Sequence, residues 1–236
     1  MFAGHFAVSL ALKRRYPRVP TGLLLGAGMT PDILFAVLFG AGIEHFGASP
    51  GTSYSDWQLV TPLSHGGALL ATTLAVLVYS HMRGRAKQKA LGLIIATSLS
   101  LAVLLHLVGD FVTDPGGLLL FGANGPRAGL SLWHRDPKVA MTFELLAVVG
   151  GLTVFFRGMP RLPLWSSFAI GFVVAGITWL STVGQLQSDV PPETPAVAWQ
   201  YFGQIAVFIA MIATLESFCN RRNGRVDIRG VTNSTP

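Results

Sequence analysis

Charge is scarce in this chain: of 236 residues only 12% are Asp, Glu, Lys or Arg, against 51% hydrophobic. Soluble domains carry about a quarter charged residues, so the scarcity excludes an ordinary water-soluble fold. Cysteine is almost absent. Cys219 stands alone, which excludes a disulfide framework and a thiolate metal site and leaves at most a palmitoylation site beside the basic tail. No internal repeat is recognisable, so the signature of an inverted-repeat transporter is missing. The N-terminus also lacks the order of a secretory signal. Its basic cluster follows the apolar run "MFAGHFAVSLAL" instead of preceding it, and no small-residue cleavage site leads into a soluble domain.

What is present is apolar sequence in long runs, at residues 22–43, 66–80, 90–112, 139–156, 164–184 and 198–219. Most approach the ~20 residues that a bilayer-spanning helix needs. They predict an all-α fold, a polytopic integral membrane bundle of about six transmembrane helices. The N-terminal segment has about a dozen apolar residues before Lys13, too few for a full span, and reads as a short interfacial or re-entrant helix.

The net charge of +6 raises the question of nucleic acid, but the basic residues are placed as markers of membrane sidedness. Lys13, Arg14, Arg15 and Arg18 precede the first run; Arg83, Arg85, Lys87 and Lys89 separate the second and third. Arg157 and Arg161 separate the fourth and fifth, and Arg221, Arg222, Arg225 and Arg229 form the tail. Fourteen of the seventeen basic residues therefore fall on one face, leaving Arg127, Arg135 and Lys138 on the other. By the positive-inside rule both termini are cytoplasmic and the loops around Tyr54, Pro115 and Pro191 face outward. The partners this implies are membrane lipids and no nucleic acid. The chain divides into residues 1–156, which carry the ionisable motifs, two C-terminal spans within 157–219, and a basic, polar, disordered cytoplasmic tail at 220–236.

Ionisable groups inside such runs cost several kcal/mol unless paired, solvated or bound to metal, so each marks a site. His106 and Asp110, in "LLHLVGDFVTDPGG", are four residues apart and share one helix face, about one turn from each other. They can ligate one ion, or form a His–Asp pair that packs helices. Asp114 continues that line at the helix rim before Pro115, as a proton carrier or a capping residue. His65, in "TPLSHGG", starts the second run at a depth comparable with His106; Thr61 or Ser64 can cap that helix, and Gly66 and Gly67 admit a neighbouring backbone. Asp32, in "GAGMTPDILF", sits midway through the first run beside Pro31. The reading is a broken helix with Thr30 as cap and Asp32 in the first turn of the second half, as cap or ligand. A break at membrane depth lines a cavity or is buried in protein. His5 lies eight residues before Lys13, which on a helix carries it about 12 Å toward the same interior. Glu144, inside the fourth run, is a polar packing partner or an acid/base, Glu216 a packing partner, and His45, His81 and His134 lie in loops.

The order "GH" at His5, "PD" at Asp32, "SH" at His65 and "HLVGD" at His106 and Asp110 resembles that of a prokaryotic family of predicted membrane-bound metal-dependent hydrolases. "GLSLWHRDP" is similar to that family's outer loop, and the resemblance covers about the first 156 residues. The same order is similar to zinc-dependent phospholipase C and the P1-type nucleases, whose residues hold zinc ions that cleave phosphoesters. The resemblance implies that His5, Asp32, His65, His106 and Asp110 are metal ligands. Ala140 stands where those soluble enzymes have the His of a His-x-x-x-Glu pair ending at Glu144, and Leu34 where some membrane members have a second acid. A full trinuclear cluster is therefore not implied.

The expectation is one or two divalent ions, zinc first and manganese or iron as alternatives, in an inner-membrane protein. A metal-activated water would attack a phosphorus or carbonyl centre of a small amphiphilic substrate, a lipid phosphoester as first choice, with Asp114 or Glu144 as the catalytic proton carriers. The alternatives are a transporter or proton/cation pathway built on the same intramembrane His and Asp residues, and a metal-stabilised membrane protein without turnover.

Overall fold

The computed structural model describes residues 2–47, 58–84, 91–114, 116–122, 124–158, 170–174, 176, 203, 205–214 and 217. The described chain is mostly helical. Helices α1 (Phe2–Arg15), α2 (Thr21–Gly28) and α3 (Thr30–Gly40) lead into a short antiparallel ribbon, β1 (His45–Gly47) with β2 (Gln58–Val60). Then follow α4 (Gly67–Gly84), α5 (Leu91–Thr113), a second ribbon of β3 (Leu118–Leu119) and β4 (Arg127–Ala128), the single turn α6 (Leu132–Arg135), and α7 (Pro137–Gly158).

Two of these helices are long and apolar enough to cross a membrane, α5 with mean hydropathy 2.3 and α7 with 2.0. Only 33% and 28% of their apolar windows are buried against the protein. Val108, Leu145, Leu146 and Val149 are instead at least half exposed, an outward apolar surface that suits hydrocarbon and not water. Helices α2 and α3 add a third span if the bent pair is one crossing. The described part of α4 counts as a shorter apolar helix, Gly67–Met82, as does Ile205–Thr214 in the last run. Most of the fifth run, the tail, the loops around Tyr54 and Pro191, and Pro115 itself lie outside the described residues.

The break in the first run follows from proline chemistry. Pro31 has no N–H to give to the helix ladder, so α2 ends at Gly28 and α3 restarts at Thr30, with a bend of 53° between them. Asp32 lies in the first turn of α3. The expected capping role of Thr30 is corrected: Met29 occupies the cap position, and the Thr30 hydroxyl donates back to the Gly26 carbonyl at 3.0 Å.

An interfacial placement of the N-terminal helix is also corrected. An interfacial helix keeps one face polar and solvated, whereas Ala3, Phe6, Ala7 and Leu10 are fully enclosed, packed with Leu25 and Met29 on one side and Val148 and Phe155 of α7 on the other. Its polar residues His5 and Ser9 are buried as well. So is Lys13, read above as a surface marker of sidedness; its ammonium donates to the Val19 carbonyl at 2.7 Å. Arg14 and Arg15 carry the exposed charge at that end. Helix α1 is thus a central element, buried because α2, α5 and α7 surround it.

The ribbons position the turns between helices. Pairing of His45 with Val60 in β1–β2 brings the residue before β1, Glu44, alongside the turn that starts at Thr61. At the start of α4 the Gly67 amide donates to the Leu120 carbonyl at 3.0 Å, and a Cβ on Gly67 would collide with that oxygen. The close backbone approach expected at this glycine is made by the segment after β3. Asp136 starts α7: its carboxylate accepts the amides of Lys138 and Val139, with Pro137 at the first helical position.

Candidate metal centre

Five residues from four segments meet in the interior: His5 from α1, Asp32 from α3, His65 from the turn before α4, and His106 and Asp110 from α5. His5, His65, His106 and Asp110 are each at most 4% exposed. Two overlapping triads, His5–Asp32–His106 and His65–His106–Asp110, have ligand atoms within 4.8 Å of one another. The separations are close to those that an ion imposes. With metal–ligand bonds of about 2.1 Å, tetrahedral ligands lie about 3.4 Å apart and neighbouring octahedral ones about 3.0 Å. Nε2 of His106 lies 2.9 Å from Asp110 Oδ2 and 3.4 Å from Nε2 of His65. Nε2 of His65 lies 3.5 Å from Asp110 Oδ2 and 3.6 Å from Asp32 Oδ1, and His106 Nε2 is 4.0 Å from that Asp32 oxygen.

The broken helix holds this arrangement. Because α2 stops at Gly28, its last carbonyls have no partner within the helix. The Gly28 oxygen lies 2.5 Å from Nδ1 of His106, so Nδ1–H donates to it and Nε2 is the ring nitrogen that faces Asp110 and His65. His5 stacks flat on His106, with ring centroids 3.5 Å apart, and its Nε2 is 2.9 Å from the Asp110 Oδ1 oxygen. Nδ1 of His5 and Oδ2 of Asp32 are buried without a hydrogen-bond partner among the described residues. Unpaired buried polar atoms of this kind are costly, and two in one cluster of N and O donors fit a site built for a divalent cation.

Outside the helices, His65 is raised to about 9. Burial pulls it down, but the carboxylates of Asp32 and Asp110 outweigh that by stabilising the cation. Asp114, one turn beyond Asp110 with its amide on the Asp110 carbonyl at 2.8 Å, is buried and pushed up to about 7. Burial comes first there and the negative charge of Asp110 second. Asp114 is thus suited to hold or release a proton near neutrality beside the cluster. Glu144 belongs to neither triad: it is buried on α7, and its Oε1 accepts the amide of Ala3 at 2.8 Å, at the N-terminus of α1. His45, His81 and His134 are exposed, but on β1, α4 and α6 and not in loops as expected, and Glu216 lies outside the described residues.

One residue at this site escaped the sequence reading. Glu44 is fully buried, its Oε1 accepting the amides of Leu63 and Ser64 at 2.9 Å each and its Oε2 the Ser64 hydroxyl at 2.5 Å. Ser64, read as a cap for α4, instead bonds Glu44 and lies 2.9 Å from Nδ1 of His65. The only local sign of Glu44 is an acid within "AGIEHFG" between two apolar stretches; its partners are about 20 residues away.

The cluster can bind a divalent cation through imidazole nitrogens and carboxylate oxygens, the donor set of zinc, manganese or iron sites with exchangeable positions. Compared with protein-family models, curated proteins and solved structures, the chain matches none.

Proposed function

We propose that this protein is a membrane-bound metal-dependent hydrolase with one or two divalent ions, zinc first, held by His5, Asp32, His65, His106 and Asp110. The observation that carries the reading is the convergence of these five residues, four of them buried and Asp32 partly so, at ligand-like separations. Its membrane setting is six spans in a prokaryotic inner membrane with both termini cytoplasmic, on the strength of the apolar runs and the one-sided basic residues. A divalent ion in such a site supplies Lewis acidity and an activated water for attack at phosphorus or a carbonyl. The chain's own residues divide the remaining work. Asp110, held between His5 and His106, fixes the donor face of α5. Asp32 sits at the start of α3, where the helix dipole favours its negative charge. Asp114 takes up and returns the proton. Placement among spanning helices favours a small amphiphilic substrate, a lipid phosphoester in the first instance, entering from the bilayer.

The test is metal content by elemental mass spectrometry on protein purified in mild detergent, for the wild type, His106→Ala and Asp110→Ala. Near-stoichiometric metal in the wild type and none in either folded variant supports the site and warrants turnover assays on phospholipids and phosphoesters. No metal in well-folded wild type after divalent-ion reconstitution overturns it. The bend at Asp32 favours a second reading, a cation or proton pathway. Ion flux in proteoliposomes that falls in Asp32→Asn, without hydrolysis, would select that reading.

A further inference from the structure

The turn before α4 carries a chain of three hydrogen-bonding groups that ends on the metal centre. Glu44 reaches it by strand register: β1 pairs His45 with Val60, so Glu44 lies beside Thr61 and the amides that follow. Its carboxylate takes three donors, two amides on Oε1 and the Ser64 hydroxyl on Oε2. A serine hydroxyl has one hydrogen, and here it is committed to Glu44. Toward His65, 2.9 Å away, Ser64 Oγ can therefore only accept, and Nδ1 of His65 must be the donor. That leaves Nε2 as the nitrogen with a lone pair when the ring is neutral. Nε2 is the atom facing His106, Asp32 and Asp110.

We infer that Glu44 and Ser64 are positioning residues for the metal centre, acting together to hold His65 in the tautomer that ligates through Nε2. The inference rests on the metal-centre reading above and adds to it two residues that touch no ion. His106 obtains the same outcome from a backbone carbonyl, Gly28; His65, whose Nδ1 meets the Ser64 hydroxyl, obtains it from a side-chain relay. Partners of this kind commonly set metal affinity by 10- to 100-fold.

Glu44→Gln tests the inference without changing the residue's shape. Glutamine keeps one oxygen for the Leu63 and Ser64 amides, so the turn is held. Its NH2 then faces Ser64 and donates, which frees the hydroxyl hydrogen to point at His65 Nδ1 and favours the wrong tautomer. The experiment is competitive titration of Zn2+ into the detergent-purified full chain as wild type, Glu44→Gln, Ser64→Ala and the double variant. Only monodisperse, cooperatively unfolding preparations are compared. The expected result is a Kd raised about 10- to 100-fold in each single variant, with the double variant no worse than the weaker single one, since both cut one chain. In 15N-histidine-labelled, zinc-loaded wild type, His65 should show ligation through Nε2 and a protonated Nδ1. Wild-type affinity in folded Glu44→Gln and Ser64→Ala, or Nδ1 ligation by His65, overturns the relay and leaves the metal centre standing. Absence of zinc from folded wild type overturns both.

Discussion

Nδ1 of His106 on α5 lies 2.5 Å from the carbonyl oxygen of Gly28, the last residue of α2. An unbroken helix would have used that carbonyl internally; the break at Met29 and Pro31 turns it outward to an imidazole 78 positions along the chain. The helix break and the His/Asp cluster are in this sense one feature. The same discontinuity that frees an acceptor for His106 sets Asp32 at the start of α3, facing the same ring.

The Gly28 contact leads to a first prediction. A Cβ at position 28 would overlap the side chain of Ser9 on α1. Gly28→Ala should therefore push the end of α2 away from α1 and draw its carbonyl off His106. The expected loss is about 1–3 kcal/mol of stability, in the range for overpacking, together with weaker zinc binding. Ser9→Gly removes the obstructing atoms, so the double variant should regain most of both. Thermal unfolding and zinc titration in detergent check it; a stable Gly28→Ala with wild-type affinity would show that the carbonyl does not hold His106.

How much of this was legible beforehand differs from element to element. The break was readable because proline cannot donate to a helix ladder wherever it sits, and the His106–Asp110 face because helical periodicity is local. The candidate ligands could be named from the sequence, since an ionisable group in an apolar run is conspicuous in one dimension. The burial of α1 was not readable: fourteen residues ending in "KRR" have the profile of an interfacial helix until three other helices close around them. Nor was Glu44. Its environment is made by Leu63 and Ser64, brought to it by three-residue strands too short to leave a periodic trace.

Neutralising Asp110 in place isolates its charge from its shape. Asp110 contacts His5 through Oδ1 and His106 through Oδ2, and it belongs to one of the two ligand triads. Asp110→Asn should lower zinc affinity by more than the roughly 100-fold upper range for residues that only support ligands. The helices should remain assembled, as monitored by circular dichroism and size-exclusion chromatography. Unchanged zinc content in this variant would remove Asp110 from the ligand set.

The pH dependence of metal binding has a definite sign. In the metal-free protein His65 is raised from its ordinary 6.5 to about 9. Its protonation therefore contributes stability that is complete below about pH 6.5 and is lost as pH rises through about 9. A cation must displace that proton to bind Nε2. Zinc affinity should thus rise by about tenfold per pH unit between pH 7 and 9 and level off above. The upward shift of the unfolding temperature on adding zinc should grow over the same interval. A flat profile across pH 7–9 would mean that His65 is not displaced by the metal.

Glu144 separates a structural part from a catalytic one. Its Oε1 accepts the Ala3 amide, two residues before His5, while Oε2 is buried without a partner among the described residues. Held this way, Glu144 anchors the start of α1 and through it the position of His5. Glu144→Gln keeps an acceptor for Ala3 and should leave zinc affinity within about threefold of wild type, a change under 1 kcal/mol. Glu144→Ala leaves the amide unpaired in the interior, which costs about 1–3 kcal/mol, and should weaken zinc binding by loosening α1. The contrast is decided by turnover once a phosphoester substrate is in hand. An anchoring Glu144 leaves Glu144→Gln active, whereas a proton-carrying one makes that variant bind zinc normally and fail to hydrolyse.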